Sequence, residues 1–584
     1  MVSKWETCPV AKVSEDEALG GPSMGTGALP RSFEASTLCG AFQITAAERP
    51  EAVALRTPGG GVEISWAEYA ERVRRIAGGL AALGVGRGDT VALMMTNRPE
   101  FNLVDTAAMH LGATPFSIYD TSAVDQISYL FSNADNRVLV CERQFLDVIR
   151  AADAPLLEHV VLVDAAVEGT LSLADLESLR REDFDFDGAW RAVEPEDVVT
   201  LVYTSGTTGP PKGVQLTHAS IMAENRGCAA VIPFPAFGRG ISHLPSAHIA
   251  DRWLSHYYPS IMFGATITAV ADVRQVVGVL PDVRPSAWNT VPRIWEKIKA
   301  ALEAKGIADP TVLSDEVKAG VRGRLGLDQA RWLVSGAAPI PPEVLEYFGA
   351  LGLSIGEVWG MTELSCLATI NPLDDVRIGT VGKAIPGIEL KLLDDGELLA
   401  RGPLVMKGYR KDPERTAEAV DAEGWMHTGD VATIDEDGYV TIVDRKKELI
   451  INAAGKNMSP ANIEQKLKAS SPLIGQAICI GDRRSYNVAL LVLDPDVSAQ
   501  WAQQHGLADA SAAILAQDLG VYAEVARGVE SANSYLSRVE QIKRFTILSV
   551  DWEMGGEELT PTMKLKRKPI HAKYAAEIDA LYAD

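Results

Sequence analysis

Residues 203–214, from Tyr203 to Val214, read YTSGTTGPPKGV. The run before the glycines, Val198 to Tyr203, is β-branched and apolar and predicts a buried strand. After them, Thr217 is placed to N-cap a helix that begins at His218. Strand, Gly-rich loop and helix in that order form a phosphate-binding context. Glycines let backbone N–H groups come close to phosphate oxygens. The hydroxyls of Thr204, Ser205, Thr207 and Thr208 can donate to those oxygens or reach Mg2+. Lys212 adds a point charge. Two common phosphate loops are excluded. A Walker loop needs Ser or Thr after its lysine, and Lys212 is followed by Gly213. Gly206, Gly209 and Gly213 lack the GxGxxG spacing of a dinucleotide fingerprint. A plain surface loop explains a Ser/Thr/Gly cluster but not the whole string.

Working outward, helix and strand signals alternate. Ser65 and Glu68 form a capping box. Tyr69, Val73, Ile76, Leu80 and Leu83 then fall on one helical face, and Gly84 is a natural stop. GRGDTVALMM supplies a turn and a buried strand, and further apolar runs lie at 137–140, 159–163 and 331–334. This is α/β patterning. From Ile388 to Val443, short strands alternate with the turns Asp395-Gly396 and Asp437-Gly438, which predicts a small antiparallel or barrel-like β subdomain. Residues 1–35 lack periodicity and read as an arm. The main boundary falls in the charged run DRKKE, which alone would read as solvated surface.

Composition narrows the function. A hydrophobic content of 47% is enough for a sizeable core. A formal net charge of −23 argues against a nucleic-acid binder and against docking on anionic lipid. Any anionic ligand must therefore be held by local groups. The cysteines form no CxxC pair and the histidines no HExxH, so a reducing compartment is expected and a zinc site is not. The N-terminus has no apolar signal-like run, and a cytoplasmic location is expected. Trp253 to Ala271 carries no Asp, Glu, Lys or Arg. Its hydroxyls, Pro259 and Gly264 predict a buried helix–turn–strand rather than a membrane span.

At this point the chain resembles the adenylate-forming superfamily: acyl-CoA synthetases, peptide-synthetase adenylation domains and beetle luciferases. TSGTTGPPKGV looks like its signature, SGAAPI (335–340) its adenine-pocket segment and WGMTE (359–363) its aromatic-Gly-x-Thr-Glu motif. HTGD (427–430) resembles the ribose motif, DRKKELIINAAGKNMSP (444–460) the hinge and following loop, and LTPTMKLKRK (559–568) the C-terminal lysine motif. These segments stand in the family's order along nearly the whole chain. The resemblance implies a large N-terminal AMP-binding domain over 36–443, built of layered α/β subdomains with the β-rich subdomain at 388–443. A hinge at 444–447 and a small mobile α+β domain over 448–584 would follow.

The resemblance also implies a reaction and its residues. A carboxylate attacks the α-phosphate of ATP, pyrophosphate leaves, and a thiol then takes the acyl group, giving a thioester and AMP. Thr204, Ser205, Gly206, Thr207, Thr208, Gly209 and Lys212 would hold phosphates, with Thr204 and Glu363 on Mg2+. Thr362 would stand beside Glu363. Gly336, Ala337, Trp359 and Gly360 would form the adenine pocket, with Trp359 stacked where many relatives carry Tyr. Asp430 would accept both ribose hydroxyls, and Arg445 would reach the ribose or the phosphates. Lys564 would be the catalytic lysine, with Lys566, Arg567 and Lys568 as solvated charges. Asp444 and Lys447 match the hinge. Gly455 and Lys456 would line the path of the pantetheine arm of coenzyme A.

The segment SHLPSAHIADRW (242–253) lacks the acidic residue an amino-acid adenylation domain needs, and resembles long-chain acyl-CoA synthetases instead. His248 would then face the carboxylate, and Trp253 would gate an acyl tunnel. The competing readings are a structural histidine and a core tryptophan. The expected activity is a long-chain fatty acid–CoA ligase. The alternatives are a ligase loading a separate acyl carrier protein, an aryl- or steroid-acid CoA ligase, and an inactive nucleotide-binding scaffold. No carrier-domain serine motif follows Lys564, so CoA is the expected acceptor. Loose membrane association and a homodimer stay open; nucleic acid is not an expected partner.

Overall fold

The computed structural model describes residues 28–204, 210–452, 457–507, 509–553, 555–560 and 563–583. Val198–Thr204 lies inside an eight-stranded sheet, counted over the described residues. On one side it pairs in parallel with Thr114–Ser117, which leads on to Thr90–Met94, Val138–Cys141 and His159–Leu162. These central strands are apolar on both faces, as a sheet covered on both sides requires. The helix Trp66–Ala82 covers one face with Tyr69, Val73, Ile76 and Leu80, and Ser65 Oγ caps it by accepting from Glu68 N–H at 3.2 Å.

The expected strand–loop–helix order is corrected here. Lys212–Thr217 is itself a strand, antiparallel to Val198–Thr204 with Thr204 opposite Lys212. The Gly-rich loop therefore closes a hairpin. The helix His218–Ala229, capped by Thr217 as expected, starts one strand later. Six residues of strand put it about 20 Å from the loop. The N-terminus of that helix is therefore too far from the loop to serve an anion there.

A second sheet carries three parallel strands, Trp288–Thr290, Leu333–Ser335 and Ile355–Trp359, followed by two short antiparallel ones. The β-rich subdomain is an antiparallel sheet, Glu389–Leu392, Glu397–Arg401, Met426–Ile434 and Val440–Arg445 in that order, and its Val440 edge exchanges backbone hydrogen bonds with Val381 and Gly382. The predicted arm is also shorter than expected. Phe33 meets Phe263 edge-on at 5.1 Å and Ser32 Oγ donates to the Met262 carbonyl, so 31–35 belong to the packed body. Residues 1–27 of the arm lie outside the described residues.

The charge-free stretch folds as a buried helix, Arg252–Met262, then a left-handed turn at Gly264 and the strand Thr266–Ala269. Arg252 at its start forms a fully buried ion pair with Asp105 and donates to Ser117 Oγ at 2.7 Å. Among the described residues no helix is long and apolar enough to cross a membrane. From Ile450 onward the chain builds its own cores around a sheet of Ile474–Ile480, Asn487–Leu493 and Ile542–Ile547. Ion pairs join this unit to the helix Pro292–Ala304: Arg293 with Asp494, and Lys297 Nζ with Asp496 at 2.9 Å.

Three buried imidazoles make the fold acid-sensitive. Burial holds His110 and His243 down to about 4 and His218 to about 3. The neutral form is built in: His218 Nδ1 accepts from Leu38 N–H at 3.2 Å. The unfolded value is ~6.5, so below it the unfolded chain binds more protons, and stability falls with pH by up to ~1.4 kcal/mol per unit for each group. We expect urea midpoints to be level above pH 7 and to drop steeply between pH 6.5 and 4. A midpoint independent of pH in that window would contradict the neutral, buried assignment.

Candidate active site

The parallel strands of the second sheet all end on one side, and ligands of open α/β sheets bind beyond such carboxyl ends. Ser335 ends one strand and Gly336 and Ala337 follow it; Trp359 ends the next and Gly360 follows. A Cβ on Gly360 would lie 1.9 Å from the Cys366 carbonyl oxygen, so glycine is required there. Ala337 takes a left-handed φ of 69°, and Met563, just before Lys564, takes 65°. Each is disfavoured by ~1 kcal/mol or more for an L-residue, and such strain gathers at functional sites.

Asp430 is the centre of the first cluster. Its strand runs beside Val440–Arg445 with Asp430 directly opposite Arg445. Arg445 Nε stands 2.8 Å from Asp430 Oδ1, and Trp359 Nε1 donates to Oδ2 at 2.8 Å. The carboxyl is 3% exposed. Burial raises its pKa, against which Arg445, the Trp359 hydrogen bond and Lys564 all favour the charged form. One lone pair on each oxygen is engaged, which leaves one on each for a diol.

The second cluster sits where the hairpin strand meets the second sheet. Glu363, buried beside Thr362 in the turn Thr362–Leu364, lies 3.5 Å from Lys212 Nζ. Tyr409 bridges them from the side: its hydroxyl donates to Glu363 Oε1 at 2.8 Å and accepts from Lys212 Nζ at 2.7 Å. Burial and the Glu363 carboxylate push this phenol well above its ordinary range. Tyr409 was not singled out from sequence; the short segment Gly408–Tyr409 reaches the site only because it pairs with Lys212–Thr217. Thr204 Oγ1 is buried without a hydrogen-bond partner. Ser205, Gly206, Thr207, Thr208 and Gly209, with Gly455 and Lys456, lie outside the described residues.

Lys564 reaches this region from the C-terminal unit. It keeps solvent access along the cleft, yet the surrounding protein and then Arg445 lower its pKa, while Asp430, Glu448 and Glu363 pull it back up. His248 feels the same charge: burial first and Lys564 second hold it near 3. Its Nδ1 accepts from Ala250 N–H at 3.1 Å, so the neutral ring carries its proton on Nε2. The domains are thus oriented with the lysine facing the site.

Other expectations are revised. Arg567 is not a solvated charge. It makes a forked pair with the buried Glu464, at 2.6 and 2.8 Å, and reaches Glu448 at 3.1 Å. Lys566 Nζ donates to the Gly556 carbonyl at 2.7 Å, and only Lys568 of the three is exposed. Trp253 is fully buried, stacked on Tyr258 at 4.6 Å and hydrogen-bonded to Asn225 Oδ1 at 2.8 Å, so here it serves the core. Asp444 binds across the boundary, its Oδ2 accepting from Ser459 Oγ at 2.5 Å and Ala461 N–H at 3.1 Å. Lys447 is exposed.

Residues 42–410 match the model of the AMP-binding enzyme family, and residues 447–584 that of the AMP-binding enzyme C-terminal domain. The chain belongs to the AMP-binding enzyme family. Among its relatives, a putative fatty-acid–CoA ligase, fadD11 of Mycobacterium tuberculosis, is 52% identical over 452 residues, covering 71% of this chain and 79% of that one. The long-chain-fatty-acid–CoA ligase FadD15 of Mycobacterium bovis is 34% identical over 560 residues, covering 89% and 92%. The fold matches the anthranilate CoA ligase AuaEII, solved with anthranoyl-AMP, at a TM-score of 0.75 and 21% identity over 93% of this chain and 98% of that one. It also matches the adenylation domain of a carboxylate reductase from Mycobacterium chelonae, at 0.77 and 21% over 95% and 94%.

For this AMP-binding enzyme, Asp430→Ala should weaken AMP binding about tenfold to hundredfold, since hydrogen bonds to a charged group contribute ~1.5–3 kcal/mol. Calorimetric titration of variant and wild type checks this; equal affinities would remove Asp430 from the site.

Proposed function

We propose that this AMP-binding enzyme activates a long-chain fatty acid with ATP and transfers it to coenzyme A. The observation that carries the reading is convergence: in a protein of net charge −23, Lys212 pairs with Glu363 and Arg445 with Asp430, and Lys564, from the far end of the chain, feels Arg445, Asp430 and Glu363 together. The names of the relatives supply the acid class and the acceptor.

In the first step the fatty carboxylate oxygen bonds to the α-phosphorus of ATP, and the bond to the bridging oxygen breaks as pyrophosphate leaves. Both reactants are anions, so catalysis is chiefly positioning and charge stabilisation. Asp430 holds the ribose hydroxyls through its two remaining lone pairs, and Trp359 borders the adenine. Lys212 holds the outer phosphates, as do the Gly-rich loop's N–H groups. Lys564 donates to the attacking carboxylate and the α-phosphate as negative charge gathers between them. His248, neutral with Nε2–H, orients the carboxylate without a charge of its own. Thr204, with its orphaned buried hydroxyl, and Glu363 fit a hard cation and would hold Mg2+, which neutralises phosphate charge when bound.

In the second step the thiol sulfur of CoA bonds to the acyl carbon, its proton is lost, and AMP leaves. We place the pivot between the steps at 444–447. Rotation there releases Asp444 from the start of the helix Pro460–Ser470 and withdraws Lys564.

ATP–pyrophosphate exchange with a panel of carboxylic acids, then full turnover with and without CoA, tests the reading. Long-chain acids should support exchange and CoA-dependent thioester formation. Exchange without CoA use would redirect the acceptor to a carrier protein, and no exchange with any acid would leave a nucleotide-binding scaffold. Lys564→Ala should cut exchange by two or more orders of magnitude, consistent with the ~10²–10³ lost with one charge-stabilising donor, yet spare thioester formation from supplied acyl-AMP. Equal loss of both steps would withdraw the assignment. Lys447→Pro should slow thioester formation more than exchange; an unchanged second step would move the pivot elsewhere.

A further inference from the structure

A half-buried lysine and a buried glutamate 3.5 Å apart attract each other, because solvent screens them only in part. Their simplest arrangement is a direct, hydrogen-bonded ion pair. Here the ammonium stands 3.5 Å from Oε1, short of a direct hydrogen bond, and the Tyr409 hydroxyl bridges the same two atoms from the side. An ammonium has no lone pair, so Lys212 must donate to the Tyr409 oxygen; the phenol proton then points at Glu363 Oε1. The chain of donation runs one way, Lys212 to Tyr409 to Glu363. The ammonium also sits 4.2 Å from the centre of the Tyr409 ring. Tyr409 is held firmly: its backbone pairs with Val214, its N–H donates to Thr416 Oγ1 at 2.9 Å, and the side chain is 5% exposed.

We propose that Tyr409 is a positioning residue, a phenolic spacer that keeps Lys212 and Glu363 from closing on each other and so leaves both available to the outer phosphates of a metal-bound nucleoside triphosphate. Tyr409 occupies one ammonium hydrogen and one carboxylate oxygen, Oε1. The other two hydrogens and Oε2 are the groups that phosphate and cation then meet. Without the hydroxyl, Lys212 and Glu363 form the direct pair, and an incoming triphosphate must break it. This rests on the assignment of Lys212 and Glu363 to the triphosphate and its cation, made above.

AMP offers an internal control, since it lacks the outer phosphates and meets the site through Asp430 and Trp359. Equilibrium titrations of AMP and of MgATP are run on the wild type, Tyr409→Phe and Lys212→Ala. Tyr409→Phe keeps the ring and should bind MgATP roughly tenfold more weakly, the scale of a hydrogen bond to a charged group, with AMP affinity unchanged. Tyr409→Leu, which loses the ring as well, should weaken MgATP at least as much and again spare AMP. A merely structural role would weaken both nucleotides together, and that result overturns the spacer. So does MgATP affinity in Tyr409→Phe equal to wild type when Lys212→Ala is impaired. If Lys212→Ala itself binds MgATP normally, the underlying phosphate assignment fails instead.

Discussion

The buried carboxylate of Asp430 is the constraint on which this site is built. It takes the indole N–H of Trp359 from the end of a parallel strand and faces Arg445 across an antiparallel pair. It also lies close enough to Lys564 for each to shift the other's titration. Three separately folded parts of the chain thus meet at one charge. Burial alone would protonate such a group; its cations and the indole oppose that.

An acidic protein that handles polyanions must concentrate its positive charge locally, and three of its cations here are held by partners. Lys212 is tethered by Tyr409, Arg445 by Asp430, and Arg567 by Glu464 and Glu448. Arg567 ties the lysine-bearing segment to the turn just after the domain boundary, and the Lys564 backbone is pinned to Thr560, its N–H donating to Oγ1 at 3.0 Å and its carbonyl accepting from the Thr560 N–H at 2.8 Å. The cores that begin at Ile450 are closed without help from the N-terminal body. Contact between the two units is polar, through Arg293, Lys297, Asp494 and Asp496. Interfaces of that kind part at modest cost.

The sequence by itself determined the α/β class, the strand before the Gly-rich loop, the caps at Ser65 and Thr217, and the charged residues that converge. Each is local: a period, a cap, or a motif whose residue types carry their chemistry wherever they fold. It misread what depends on partners distant in the chain. Lys212–Thr217 passed for part of a loop because its strand character comes from pairing with Val198–Thr204. Arg567 passed for a solvated charge because Glu448 and Glu464 lie more than a hundred residues away. Tyr409 carried no signal at all, since a tyrosine in a short polar segment matters only once that segment joins the sheet beside Lys212. Tertiary structure alone decided which oxygen of Asp430 faces which donor, that a phenol bridges Lys212 and Glu363, and that Lys564 faces the cleft. Those are distances of a few ångströms between residues far apart in sequence, and only packing sets them.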